Sequence, residues 1–544
     1  MNGSRDRLKR RGYDALVIGS GPNGLSAAIT LARAGRSVAV LEARDTPGGG
    51  ARTAELTLPG FKHDICSAIH PMGLASPFFR TLPLERFGLE WIQPTFPAAH
   101  PLDDGSAGVL QRSLEDTCRD LGPDGPAYHR LFSPFVQQAE ALIDDALAPL
   151  GIPRHPLLLA RFGLRALRSA QGLVNAWFRT PQGRGLFAGM AAHSILPLDQ
   201  LLTAAIGLML SVAGHAVGWP LPRGGSQAIT QALVGYLESL GGEVVTGWQV
   251  QSRQELPPHR ALLLDVAPRH LAGICRADLP PAYRRRLLRY RHGPGVFKLD
   301  LALAGPIPWK APACCQAGTV HLGGSFEEIA AAEKAVWSGQ HPSRPYVLVA
   351  QQSRFDPSRA PAGRHTAWAY CHVPPGSILD QGAVIEQQIE RFAPGFRDLI
   401  LARHTLAPAD FEELNPNYVG GDITCGVVDL WQTFTRPVAR PVPYATPIRV
   451  FSSVPPPLPQ APACMECAAI SPPGPPCEAF WPDWSMAPAA TYLAATNHLQ
   501  PVPRLCPGFS AGGGLARGSH ETGGQGSLEE GRHHRVIITQ TRRR

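Results

Sequence analysis

The chain has 544 residues, 44% hydrophobic and 17% charged, with a net charge of +8 and a pI near 9.0. That length supports two to four domains with real cores and excludes a disulfide-stapled miniprotein or a wholly disordered chain. The basic residues form no aromatic-interleaved stripe, so nucleic acid is not an expected partner. Lysine occurs only at Lys9, Lys62, Lys298, Lys310 and Lys334, while Gly (56) and Pro (55) abound. This bias toward residues with GC-rich codons points to a GC-rich, bacterial gene. The eleven cysteines follow no secretory pattern. Residues 1–12, a basic extension, lead into a short apolar strand instead of a signal sequence, so a cytoplasmic protein is expected. No uncharged run reaches the roughly 18 apolar residues of a membrane span. The nearest, Leu201 to Trp219, reads as a buried helix or the wall of an apolar tunnel.

Asp14 to Ile18 reads as a buried parallel strand. Asn23 to Ala34 reads as a helix, with Leu25, Ala28, Ile29 and Ala32 on one face and Gly35 to close it. Ser37 to Leu41 is the next strand, which completes a βαβ unit. Leu157 to Leu173 and Leu201 to Val212 read as helices of a largely helical insertion. A second amphipathic helix follows Arg223-Gly224-Gly225-Ser226. It carries Ile229, Leu233, Tyr236, Leu237 and Leu240 and ends at Gly241-Gly242. Strands are expected over Glu243 to Val250, Arg260 to Val266, Phe297 to Leu303, Tyr346 to Gln351 and His365 to His372, and a helix over Val384 to Phe392.

The pattern predicts an α/β protein. A discontinuous Rossmann-like dinucleotide domain spans 13–75 and 220–290. A helical insertion (76–219) and a substrate domain with a mixed β-sheet (291–448) complete the fold. From residue 449 onward the periodicity is lost, as in a disordered tail.

Between the first strand and helix lies Gly19-Ser20-Gly21-Pro22-Asn23-Gly24. In a GxGxxG turn the first glycine makes the bend, the second lets a pyrophosphate approach and the third lets helix pack on strand. The helix N-terminus offers amides and a positive dipole to the phosphates. Glu42 ends the second strand about 20 residues on, where a carboxylate takes ribose hydroxyls; the alternative is a surface acid at a strand end. Ala43 and Arg44 follow, and then a second glycine run, Gly48-Gly49-Gly50-Ala51-Arg52. That second backbone-rich loop favours a longer flavin dinucleotide over NAD. Arg44 and Arg52 are either phosphate partners or solvated turn residues.

These loops, with the late segment Asn415-Pro416-Asn417-Tyr418-Val419-Gly420-Gly421-Asp422-Ile423, resemble the phytoene desaturase and carotenoid isomerase relatives of the FAD-dependent amine-oxidase-fold superfamily. The nearest subgroup resembled is that of pyridine nucleotide-disulfide oxidoreductase domain-containing protein 2, from about Tyr13 to Ile448. The resemblance implies non-covalent FAD, with NAD(P) as a possible electron partner, and a substrate domain over the flavin ring. It also implies a backbone contact from Val250 to the adenine, where plain core packing is the alternative. No redox CxxC lies near the flavin unit, so disulfide chemistry is not expected.

Members of this group end in a segment that returns to line the flavin. Here Tyr444-Ala445-Thr446-Pro447-Ile448 begins it and the likeness then stops. Ala463 to Ile470 can be written in codons that, one base earlier, spell the missing Gly-Val-His-Gly-Met-Cys-Gly-Tyr. Arg449 to Val454 and Ser471 to Glu478 shift likewise into the family pattern. A one-base slip near Pro447 to Arg449 accounts for all three, and it removes Cys464 and Cys467 from consideration as a metal or redox pair.

Catalytic residues are not identified. His63, His70, His193, His215 and His372 are candidates by type only, since a histidine in an apolar stretch is more often a satisfied core residue, and Cys66 to Pro71 follows the glycine loop closely enough to border the flavin. No zinc spacing or GxSxG elbow precedes the tail. The apolar helices between Leu157 and Val217 suit either an apolar substrate, polyprenoid or lipid, or ordinary packing. Arg161, Arg165 and Arg168 make a peripheral membrane contact or a solvated helix face. Rival readings are an NAD(P)-dependent dehydrogenase, a non-catalytic flavin-fold regulator, or an inactive slipped product. Sequencing the gene tests the slip: shifted codons that spell the motif are expected, and codons that do not would end the idea.

Overall fold

The computed structural model describes residues 11–148, 151–440 and 444–447, and the backbone of 451–453. Its first sheet has five parallel strands in the order Phe451–Ser453, His259–Leu264, Tyr13–Ile18, Val38–Leu41, Glu243–Val245. Tyr13–Ile18 is central because both of its faces are apolar. Ala15 and Val17 pack under helices Pro22–Arg33 and Gln227–Ser239. Tyr13, Leu16 and Ile18 pack on the other side, with Trp248, Val250, Leu271 and Leu287.

Both helices stop the same way. Gly35, at φ 74°, lets its amide reach Ala32 O while Arg36 N reaches Leu31 O. Gly241, at φ 84°, places Gly242 N on Leu237 O. Each is a Schellman closure that only a left-handed residue allows.

The second sheet is mixed and seven-stranded: Ile400–Leu406, Gly295–Leu303, His365–Val373, Val347–Ala350, Ala317–Leu322, Phe96–Pro101, Ala107–Leu110. All neighbours are antiparallel except Ala317–Leu322 against Phe96–Pro101. Phe297, Leu299 and Leu301 face helix Gly382–Phe392 through Ile385, Ile389 and Phe392. The opposite face joins the helices through Tyr346, Leu348, Trp368 and Tyr370. At its heart is Thr203–Ala216, buried over nearly its whole circumference. The stretch Leu201 to Trp219 is therefore a core helix, and no helix among the described residues is long and apolar enough to cross a membrane.

Four expectations need correction. The 76–219 segment is not wholly helical, because Phe96–Pro101 and Ala107–Leu110 leave it to extend the second sheet. The helix expected over Leu157 to Leu173 is two, Pro156–Ala166 and Ala170–Trp177; Ser169 caps the second by accepting from Gly172 N at 3.0 Å. The strand from Glu243 ends at Val245, where Gly247 (φ 67°) turns the chain, so Val250 lies in irregular backbone. The structure loss expected from 449 starts too early, since Phe451–Ser453 pairs with Leu262–Leu264 along a sheet edge that would otherwise stay open. Cys464, Cys467 and the rest of the proposed slip lie outside the described residues.

A charged seam joins the hairpin Thr53–Glu55/Lys62–Asp64 to the second sheet. Arg359 and Asp64, both fully buried, form an ion pair, and Arg359 Nε donates to Lys62 O at 3.3 Å. Beside them Lys298 pairs with Asp300, whose other oxygen lies 3.6 Å from His63 Nδ1. Burial pushes the Asp300 carboxyl up, but Lys298, His404 and His63 outweigh it and hold the group below its usual range.

Burial also lowers a set of histidines: His63, His70, His100 and His215 to about 4 and His193 to about 3. Unfolded, each takes a proton near pH 6.5, so below that pH the unfolded chain binds more protons and stability falls with pH. One histidine lowered from 6.5 to about 4 costs the fold on the order of 3 kcal/mol at pH below both values, relative to neutral pH. The unfolding midpoint is expected to hold steady near pH 7–8 and to drop steeply between about pH 6.5 and 4; a flat thermal-shift profile would contradict the neutral, buried assignment.

Candidate functional site

Gly19 sits at φ 100°, and a Cβ there would lie 2.7 Å from Asp265 O. A Cβ on Gly24 would lie 2.1 Å from Gly19 O, so the helix seats directly on the turn. Pro22 occupies the first helical turn and no side chain caps it. The Ser20 amide and hydroxyl both donate to Glu42 Oε2, at 2.9 and 2.5 Å, and Gly24 N donates to Asp265 Oδ2 at 3.0 Å. The amides of Gly21 and Asn23 make no hydrogen bond to described residues, and the buried Asn23 Oδ1 has no partner among them.

Glu42 Oε1 accepts from Arg44 N at 2.9 Å. The carboxylate thus holds the first turn to Arg44 and lies 8% exposed at the end of its strand, while Gly48 N donates to Ser20 Oγ at 3.3 Å to join the two loops. The second glycine loop packs on the first, since a Cβ on Gly49 would lie 3.2 Å from Gly21 Cα. Arg52 donates from Nε to Gly49 O at 2.8 Å and from Nη2 to Leu414 O at 3.0 Å. It braces the loop and is buried, so it is not the solvated turn residue of the alternative reading. Arg44 is half-buried, and its Nε has no partner among the described residues.

These loops surround a cavity of about 400 Å³. Gly19, Ser20, Gly21, Pro22, Asn23, Glu42, Ala43, Arg44, Gly49, Arg52 and Val250 all line it. Gly24, Gly50 and Ala51 do not; they are buried behind it, where Gly24 seats the helix and Ala51 O accepts from Thr230 Oγ1 at 3.0 Å. Residues not anticipated complete the wall: Asp265, Trp248, Asn415 and Asn417. Asn417 Oδ1 accepts from Ala267 N at 2.8 Å and Asn415 Oδ1 from Asn417 N at 3.2 Å. The available signal was the NPNYVGG segment itself, whose two asparagines turn the chain against residues 150 positions earlier.

The candidate histidines do not converge on one centre. His63 Nε2 lies 2.8 Å from Thr57 Oγ1, His70 Nε2 2.8 Å from Ser226 Oγ, and His215 Nε2 3.0 Å from the Tyr128 hydroxyl. His193 pairs with His321 at 3.0 Å, and His372 Nδ1 lies 2.8 Å from Glu333 Oε2. Of these, His70 bears on the loops, through Ser226 and Ser67, whose amide donates to Gly50 O at 3.3 Å. No group of three or more potential metal ligands occurs among the described residues.

The cavity fits a dinucleotide: amides without protein partners at a helix N-terminus, glycines where a side chain would collide, and a carboxylate one strand away. Residues 17–82 match the family model of the NAD(P)-binding Rossmann-like domain. Over 540 residues the chain is 26% identical to pyridine nucleotide-disulfide oxidoreductase domain-containing protein 2 of Mus musculus, covering 82% of this chain and 90% of that one. It is 26% identical to the phytoene dehydrogenase of Streptomyces griseus, covering 71% and 77%. Along most of its length the chain is similar to phytoene dehydrogenases and their oxidoreductase relatives. The solved putrescine oxidase bound to putrescine is similar to this chain in fold, at a TM-score of 0.53 and 16% identity, covering 84% of this chain and 96% of that one.

Glu42 ties the first glycine turn to the chain that leaves its strand at Arg44. Replacing Glu42 with Ala strips the acceptor from Ser20 N, Ser20 Oγ and Arg44 N. Affinity for ADP or FAD, read by calorimetric titration, is expected to fall roughly tenfold or more, with Glu42→Gln intermediate. Unchanged affinity would remove Glu42 from the site.

Proposed function

We propose that the chain binds FAD, with the adenosine diphosphate portion in the 400 Å³ cavity, and acts as an FAD-dependent oxidoreductase on an apolar substrate. The substrate class is a polyprenoid or another lipid, and the reaction a hydride transfer at a C–C or C–N bond or an isomerisation. The observation that carries this reading is the double glycine cradle, Gly19–Gly24 against Gly48–Arg52, joined where Gly48 N donates to Ser20 Oγ.

Bound flavin supplies the hydride acceptor. The chain's own residues position the cofactor. The Gly21 and Asn23 amides meet the pyrophosphate, Glu42 meets the ribose, and Arg52 holds the second loop at its distance from Leu414. Cys66, Ile69 and Met72, just past that loop, share one apolar cluster with Tyr346, Trp368 and Tyr370 of the second sheet. That cluster is packed core, and the apolar substrate class rests on the names of the phytoene relatives.

The purified full-length chain is expected to be yellow, with absorbance near about 450 nm. A colourless chain that binds NADH would overturn the proposal in favour of an NAD(P)-dependent dehydrogenase. A frame-repaired chain measured in parallel shows how much of the flavin site depends on the residues after Ile448.

A further inference from the structure

Helix Pro156–Ala166 buries Leu158, Phe162 and Ala166 against the helical core. Its other face is bare. Leu157 is 86% and Leu164 76% exposed, seven residues apart and therefore on one stripe. Leu167, 48% exposed, continues the stripe past the helix end. There Leu202 N donates to Leu167 O at 3.4 Å, which brings Leu201 (56%) alongside. Ile152, 98% exposed, precedes the helix. Monomer surfaces seldom leave so many large aliphatic side chains open in one segment.

The charges within this stretch are all positive, flanked by Asp145, which accepts from Arg154 N and His155 N, and by Asp199, which pairs with Lys334. Residues 146–198 contain Arg154, Arg161, Arg165, Arg168, Arg179 and Arg184 and no Asp or Glu. Arg154, Arg161 and Arg168 are exposed along the same stretch, and Arg161 and Arg168 form no ion pair among the described residues. Arg165 folds inward over the rings of Phe135 and Trp177, at 5.5 and 5.8 Å.

We propose that Ile152, Leu157, Leu164, Leu167 and Leu201, ringed by Arg154, Arg161 and Arg168, form a docking face for an anionic lipid bilayer. Leucines at this spacing enter the boundary between headgroups and acyl chains while the guanidinium groups stay at the lipid phosphates. A second copy of the chain is the poorer occupant, because a two-fold contact through this face sets arginine against arginine. An anionic bilayer offers apolar depth and opposite charge together. This inference is independent of the oxidoreductase reading, since docking requires no cofactor.

The test is co-sedimentation of the full-length chain with phosphatidylcholine vesicles, with and without about 30% phosphatidylglycerol. Binding is expected only with phosphatidylglycerol and is expected to weaken in about 0.5 M salt. R161Q/R168Q should lower the partition coefficient roughly 30-fold, from about fivefold per arginine. L157S/L164S should lower it by roughly 100-fold. All four side chains lie on the outer surface, so the unfolding midpoint should stay at its parental value; should the leucine pair unfold the chain, the arginine pair carries the test alone. Failure to bind anionic vesicles overturns the proposal, as does binding that neither variant changes. A dimer in solution that L157S/L164S converts to monomer also overturns it and assigns the face to self-association.

Discussion

The contact between helix Pro22–Arg33 and the turn beneath it governs the site. Gly24 comes so near Gly19 O that no side chain fits between them. That approach draws the helix N-terminus against the ends of Tyr13–Ile18 and His259–Leu264, where the sheet order reverses direction. A crevice at such a switch point is a consequence of parallel topology: chain crossings leave toward opposite sides and open a gap between them. The second glycine loop, Asp265 and the asparagines of 415–417 each add to a gap that this one contact creates.

The hairpin Thr53–Glu55/Lys62–Asp64 is held to its surroundings by polar groups. Thr53 Oγ1 donates to Asp64 Oδ1, Ser226 N donates to the same oxygen, and Arg359 pairs with the other. One buried carboxylate therefore ties Thr53, just past the glycine loop, to the start of helix Gln227–Ser239 and to Arg359. Buried pairs of this kind add little net stability against an apolar substitute, yet they are costly to break singly, and so they fix geometry. The glycine loop needs that fixity, because among Gly48, Gly49 and Gly50 there is no side chain to hold position and Arg52 braces it.

Much of the first sheet was legible because local chemistry settles it. The run Ala15 to Ile18 is apolar on both faces, and Gly35 and Gly241 mark the helix ends through a conformation that few other residues adopt. The glycines and Glu42 of the cradle were legible for the same reason. Asp265 was not, because its place against Gly24 depends on a pairing 241 residues apart. Phe96–Pro101 hid behind two prolines and His100, whose ring is buried and reaches Gly324 O at 2.6 Å from the second sheet. The break after Ala166 was also hidden: the apolar periodicity runs on through it, and a single capping serine outweighs that pattern.

The arrangement of the parallel sheet also bears on how the chain is made. Tyr13–Ile18 and Val38–Leu41 emerge early, but their outer partners, His259–Leu264 and Glu243–Val245, lie some two hundred positions downstream. At about 5–20 residues per second, the nascent two-stranded unit waits roughly 10–40 s with both edges unpaired. Ribosome-associated holding factors have their natural task during that interval, and fast translation of the intervening helical stretch shortens it.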